Sequence, residues 1–135
     1  MKLDKRILRI IDANINRALE GIRVVEDILR FVFKNTKYYN SLRKIRHQLP
    51  KLFLDIYSFM VLQRDSISDP GRIAKEKKYK DINHILISNL HRITESLRVL
   101  EEVSKFTSIK KVPVLKKLRY DVYQLEKNII EKILK

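Results

Sequence analysis

Five polar residues occur twice in this chain, on the same spacing. Residues 10–31, IIDANINRALEGIRVVEDILRF, return 75 positions later as residues 85–106, ILISNLHRITESLRVLEEVSKF. Eight of the 22 aligned positions are identical, and five of those are polar: Asn14/Asn89, Arg17/Arg92, Glu20/Glu95, Arg23/Arg98 and Glu26/Glu101. A repeated apolar pattern would report only two helices of similar build. A helix surface needs no particular polar residue, so duplicated Asn, Arg and Glu point to a task. Guanidinium groups grip phosphate through bidentate forks, and carboxylates and amides can hold them in place.

On a helix advancing about 100° per residue, Asn14 falls on the side of Ile7, Ile10, Ala18 and Val25, with Arg17 beside Gly21 and Val24. Asn89 and Arg92 repeat this among Ile85, Leu86, Ile93, Ser96 and Val99. Arg46 stands between Leu42, Leu49 and Phe53, and Arg119 between Leu115, Leu118 and Val122. The expectation is that Asn14, Arg17, Arg46, Asn89, Arg92 and Arg119 are buried and converge on one polar, phosphate-binding cavity. Glu20 and Glu95, three residues beyond Arg17 and Arg92, would hold the arginines. The competing reading is a buried Arg–Glu–Asn network that fixes helix register. Arg23, Arg98, Glu26 and Glu101 map toward solvent, as a surface ladder of ion pairs.

One segment has no duplicate. Arg64-Asp65 and Ser68-Asp69-Pro70-Gly71 occur once, so symmetry must break there. Asp65 and Asp69 could hold Mg²⁺ through one or two oxygens, though Asp-Pro-Gly also makes an ordinary turn. His47, His84 and His91 fit no ligand cluster, and neither His84 nor His91 has an evident carboxylate partner; His47 is of interest beside Arg46. No glycine-rich phosphate loop and no nucleophile elbow occurs. Phosphates would have to be held by side chains and helix N-termini.

These residues need long helices to position them. Helix 1 is expected over about 4–34 and helix 2 over about 37–62, with a kink at Pro50, whose missing donor frees the carbonyl of Arg46. Asp81 should cap helix 3, and Pro113 suits the first turn of helix 4. Leu42-Arg43-Lys44-Ile45-Arg46 recurs as Leu115-Lys116-Lys117-Leu118-Arg119, at an offset of 73. The expected fold is all-α: one domain over 1–135, a four-helix bundle made of a duplicated helical hairpin (repeats 1–63 and 81–135, linker 64–80) with an internal pseudo-twofold axis.

Composition narrows the alternatives. Two Gly and three Pro argue against an all-β fold, and 44% hydrophobic residues against disorder. The chain lacks Cys, which rules out disulfides and thiolate metal sites. MKLDKR leads straight into an amphipathic segment, without a signal peptide, and no apolar run nears the about 18 residues of a membrane span. A cytoplasmic protein is expected. The net charge of +14 suits anionic small molecules or general Lys enrichment. A nucleic-acid-binding bundle would instead stripe its basic residues outward along one helix.

Asp12-Ala13-Asn14, Asn16-Arg17, Glu20-Gly21, Arg23-Val24, Glu26-Asp27, Arg46-His47, Arg64-Asp65, Ser68-Asp69-Pro70-Gly71 and Asn89-x-x-Arg92-x-x-Glu95-x-Leu97-Arg98-x-Leu100-Glu101-Glu102 together resemble a small helical family. It is the family often fused in front of thiamine-phosphate synthase and assigned as a hydroxymethylpyrimidine-phosphate kinase. The resemblance covers nearly the whole chain; Thr94 and Ser96 depart from its Gln and Ala. With no synthase barrel before Lys135, a free-standing version is expected. The resemblance implies transfer of the ATP γ-phosphoryl group to 4-amino-5-hydroxymethyl-2-methylpyrimidine phosphate, with Mg²⁺. It implies those two small-molecule partners, no nucleic acid and no membrane, and a functional link to thiamine-phosphate synthase; a homodimer is compatible with it. A non-catalytic, ligand-binding module of the same pathway is the alternative.

Chemistry then suggests roles. Arg17, Arg92 and Asp69 are the catalytic candidates, and Asp65 and Asp69 the metal ligands. Asn14, Glu20, Arg46, His47, Arg64, Asn89, Glu95 and Arg119 are the candidates for binding substrate.

Overall fold

The computed structural model describes residues 3–134 and is all-helical, with no strand among them. Five α-helices take the place of the expected four. They are α1 (Lys5–Asp27), α2 (Thr36–Lys51), α3 (Tyr57–Leu62), α4 (Ile82–Thr107) and α5 (Val112–Ile129). α1 and α5 each run on into a wider π-helical turn, Ile28–Val32 and Ile130–Leu134.

Local chemistry sets the boundaries. Asp4, Asn35 and Asp81 accept hydrogen bonds from the backbone N–H of Arg6, Tyr38 and His84 at 2.8, 2.9 and 2.8 Å, capping α1, α2 and α4. Pro113 sits in the first turn of α5, where its missing N–H costs nothing. At Pro50 the expected kink is a break. With the Pro50 N–H absent, Leu52 and Phe53 bond back only three residues, to the Leu49 and Pro50 carbonyls. The helix tightens into the 3₁₀ turn Leu54–Ile56 and restarts as α3.

The most extensive packing is α1 against α4; α2 lies on α1, α5 lies on α4, and α2 touches α5. Ile11, Ala18, Ile22 and Val25 of α1, with Leu29 of the π-helical turn, join Leu86, Ile93, Leu97 and Leu100 of α4 in the fully buried core. The helices come very close at Gly21. A Cβ there would stand 3.1 Å from Ile93 Cγ1 and 3.3 Å from the Asn89 carbonyl oxygen. No helix among the described residues is long and apolar enough to cross a membrane.

Candidate functional site

The non-duplicated linker folds back on α1. The Arg64 guanidinium donates from Nε to Asp12 Oδ2 at 2.6 Å and from Nη2 to Asp12 Oδ1 at 2.8 Å, across 52 residues of chain. Asp12 is buried, and its hydrogen bonds hold the Arg64 guanidinium even more firmly in its charged form. Beyond Arg64 the chain makes two side-chain-stabilised turns. Asp65 accepts from the Ser68 N–H at 3.2 Å and from the Ser68 hydroxyl, and these bonds pull its carboxyl below the usual carboxylate range. Asp69 accepts from the Gly71 N–H at 2.8 Å and caps the turn Pro70–Ile73.

Between linker and helix lies a groove of about 620 Å³, lined by Arg6, Arg9, Asp12, Asn14, Asn16, Arg17, Arg64, Asp65 and Asp69. The Asn14 amide donates to the Ile10 carbonyl at 2.8 Å, and its oxygen accepts from Arg17 Nη1 at 2.9 Å. A buried Asn thus aims an exposed Arg into the groove. Arg6 is spent on Asp4, whose carboxyl falls to about 2 chiefly through that pairing. Among the described residues Arg9 forms no ion pair. Arg9 and Arg17 therefore offer free guanidinium donors to an anion, opposite Asp65 and Asp69.

This arrangement corrects the single buried cavity expected from sequence. Arg17 and Arg92 are exposed, Arg46 is half-buried, and only Asn14, Asn89 and Arg119 are buried. Arg17 shares a stripe with Ala13, Glu20 and Val24, all exposed, so the outer edge of the apolar sector faces water. Glu20 and Glu95 are exposed and hold no arginine among the described residues. Arg92, Glu95, Asn89 and Arg119 do not line the linker groove.

Glu26 and Glu101, expected at the surface, are buried at 0% and 2% exposure. Each reaches across its hairpin to the arginine of the next long helix. Arg46 Nε donates to both oxygens of Glu26, at 3.1 and 2.8 Å. Arg119 Nε and Nη2 fork onto Glu101 at 2.7 and 3.2 Å, which raises the guanidinium pKa further. The signal for this was present. Glu26 lies four residues past Ile22 and three before Leu29, both fully buried, so it shares their face. His91 also has the carboxylate partner not foreseen, Glu126, at 3.1 Å.

Asp12 was the other residue missed. Its counterpart in the second repeat is Ile87, so it is single-copy, like the linker arginine it binds. Two further hollows exist. One of about 680 Å³ between α1 and α2 is lined by Leu19, Glu20, Arg23, Arg46, His47, Pro50 and Lys51, and so gathers three more of the candidates. The other, about 630 Å³, is mainly apolar, and its Lys111 is already paired with Asp55 at 3.1 Å.

Comparison with known proteins finds relatives over nearly the whole chain. The thiamine-phosphate synthase of Prochlorococcus marinus is 37% identical over 131 residues, covering 95% of this chain and 37% of that protein. Those of Nostoc punctiforme and Synechocystis sp. are 35% and 37% identical over 127 residues, covering 92% of this chain and 35% and 36% of theirs. The chain therefore spans little more than a third of these relatives. No solved structure matches. The pattern of the ThiD2 family matches residues 9–128, from Arg9 of the linker groove to the last turns of α5, and the chain belongs to the ThiD2 family.

Proposed function

We propose that this protein is an ATP-dependent kinase of thiamine biosynthesis that phosphorylates 4-amino-5-hydroxymethyl-2-methylpyrimidine phosphate to its diphosphate. The observation that carries this reading is the linker groove, where free guanidinium groups on α1 face two carboxylates of a single-copy loop. Membership of the ThiD2 family and likeness to thiamine-phosphate synthases support the pathway.

The reaction asks little of acid–base chemistry. The acceptor is a phosphate, whose oxygen is already a nucleophile near neutral pH, and it displaces the γ-phosphorus from the bridging oxygen so that ADP leaves. What remains is to align two anions and neutralise charge on the transferring group. Arg9 and Arg17 would hold the acceptor phosphate, Asn14 fixing Arg17. Arg64, held by Asp12, would keep the linker seated and present Asp65 and Asp69.

Among the described residues no three His, Asp or Glu groups stand ready to hold a metal alone. Mg²⁺ normally takes one or two carboxylates and fills its shell with substrate phosphates and water. Asp69, with only one oxygen engaged by the Gly71 N–H, and Asp65 beside it fit that donor set. Bound there, the ion would supply positive charge to offset that of the donor phosphates.

The test is mass-spectrometric detection of pyrimidine diphosphate from ATP, Mg²⁺ and the monophosphate. Product is expected with wild type and is reduced in Arg17→Lys, since an ammonium cannot reproduce a planar fork. Tight monophosphate binding without product would instead identify a non-catalytic module.

A further inference from the structure

The two buried ion pairs are equivalent in sequence but not in surroundings. At the second, Tyr120 and Tyr123 close over the guanidinium of Arg119. Their rings lie 5.0 and 5.7 Å from it, and the Tyr123 hydroxyl takes its Nη1 at 3.5 Å. Glu101 takes Nε and Nη2, so all three nitrogens of Arg119 are engaged and its side chain is 9% exposed.

At the offset of 73, the positions of Tyr120 and Tyr123 are held in the first half by His47 and Pro50. Among the described residues no aromatic ring covers Arg46. Glu26 engages only its Nε, and among the described residues Nη1 and Nη2 have no hydrogen-bond partner. The side chain is 20% exposed and borders the 680 Å³ hollow. Arg23, His47 and Lys51 ring the opening; Arg23 Nη1 also lies 3.8 Å from Glu26, Glu20 is the one carboxylate of the lining, and Leu19 and Pro50 supply an apolar wall.

We propose that this open copy is the nucleotide site: the terminal nitrogens of Arg46, with Arg23 and Lys51, bind the phosphate chain of a nucleoside di- or triphosphate, and Leu19 and Pro50 take its base. The proposal rests on the kinase reading above for the direction of transfer, and it places the donor in the first half of the molecule. The guanidinium is held by Glu26 at one edge and presents the other, a preorganised fork for phosphate oxygens. Glu20, at the end of this hollow, is three residues from Arg17 in the linker groove, a rise of roughly 4.5 Å along α1. The two grooves thus have neighbouring turns of one helix in their walls, which would bring donor and acceptor phosphates close to one another.

Isothermal titration with ADP, and separately with the pyrimidine monophosphate, tests this. Carrying the tyrosines across, as His47→Tyr with Pro50→Tyr, should weaken ADP binding about tenfold or more while the monophosphate still binds as before. Lys51→Glu, at an exposed position that supports no packing, should do the same without changing the melting temperature. Unchanged ADP affinity in Lys51→Glu, or loss of the monophosphate in place of ADP, overturns the assignment, as does a wild-type protein that binds no ADP. Groove-dependent ADP binding without any diphosphate product would uphold this site and overturn the kinase reaction alone.

Discussion

Asp12 on the first helix and Arg64 at the start of the linker form a two-point clamp, at 2.6 and 2.8 Å, between residues that have no counterpart in the other half of the chain. The linker beyond it is almost entirely exposed, so this clamp is its main anchor to α1. Asp12→Asn removes the charge and one of the two acceptors. Amide hydrogen exchange over residues 64–80 should accelerate clearly, while exchange in the core of α4 stays within error. Equal acceleration in both would mean that Asp12 supports the whole fold and not the linker.

Asp69 should separate chemistry from stability. It is exposed, and an Asn in its place can still accept from the Gly71 N–H. Asp69→Asn is expected to leave the melting temperature nearly unchanged yet reduce kcat by about a hundredfold, the effect of losing one electrostatic contact worth roughly 3 kcal/mol in the transition state. Steady-state kinetics beside a melting curve decides it; full activity would remove the linker carboxylate from the mechanism.

The duplicated ion pairs should respond unequally to the same substitution. In Glu101→Gln the Arg119 charge stays buried beneath two tyrosines, and a loss of about 3 kcal/mol in unfolding free energy is expected. In Glu26→Gln the half-open Arg46 can turn to water, and the loss should be less than half as large. Urea unfolding of the two variants measures the difference directly. Equal losses would show that the environments of the two arginines do not differ energetically.

Asp65 gives a pH signature with a definite sign. Its carboxyl is depressed first by the Ser68 hydroxyl and then by the Ser68 N–H. A depressed carboxylate contributes stability that is present above its unfolded value, near 3.8, and lost as pH falls through the lower folded value. Ser68→Ala should move the Asp65 midpoint upward, toward 3.8, in a carbon-detected NMR titration. The acid limb of Mg²⁺-dependent turnover should move up with it. A midpoint that stays put would mean that the hydroxyl does not bond the carboxylate in solution.

Much of this was legible from residue spacing. The all-helical fold, the cap at Asp81 and the first-turn place of Pro113 follow from period and type. Burial was read less well. A helical wheel assigns a sector, but Arg17 sits at the margin of the α1 apolar stripe, where coverage depends on how the neighbouring helices pack, and Glu26 lies inside the stripe although it is charged. After Pro50 the helix breaks where a kink was expected, because Leu52 and Phe53 bond back only three residues and the chain tightens into the 3₁₀ turn before α3. Asp12 stayed hidden because its partner lies 52 residues away and no local pattern encodes that distance. The duplicated hairpin predicts a near-twofold rotation relating 1–63 to 81–135, and superposing the two halves in a crystal structure checks it.

Gly21 lines neither groove, yet both are built on its helix. Its bare Cα lets α1 rest within van der Waals reach of the Asn89 carbonyl and Ile93. Asn89 is itself tied by its amide to the Ile85 carbonyl at 2.8 Å, so the surface that α1 meets there is stiff. Arg9 and Arg17 stand on that same helix, and α2, which carries Arg46, packs against it. One methyl group at this position would act as a shim beneath a rail, tilting donor and acceptor grooves together, and enzymologists would meet it as a change in kcat with no change in any residue that binds.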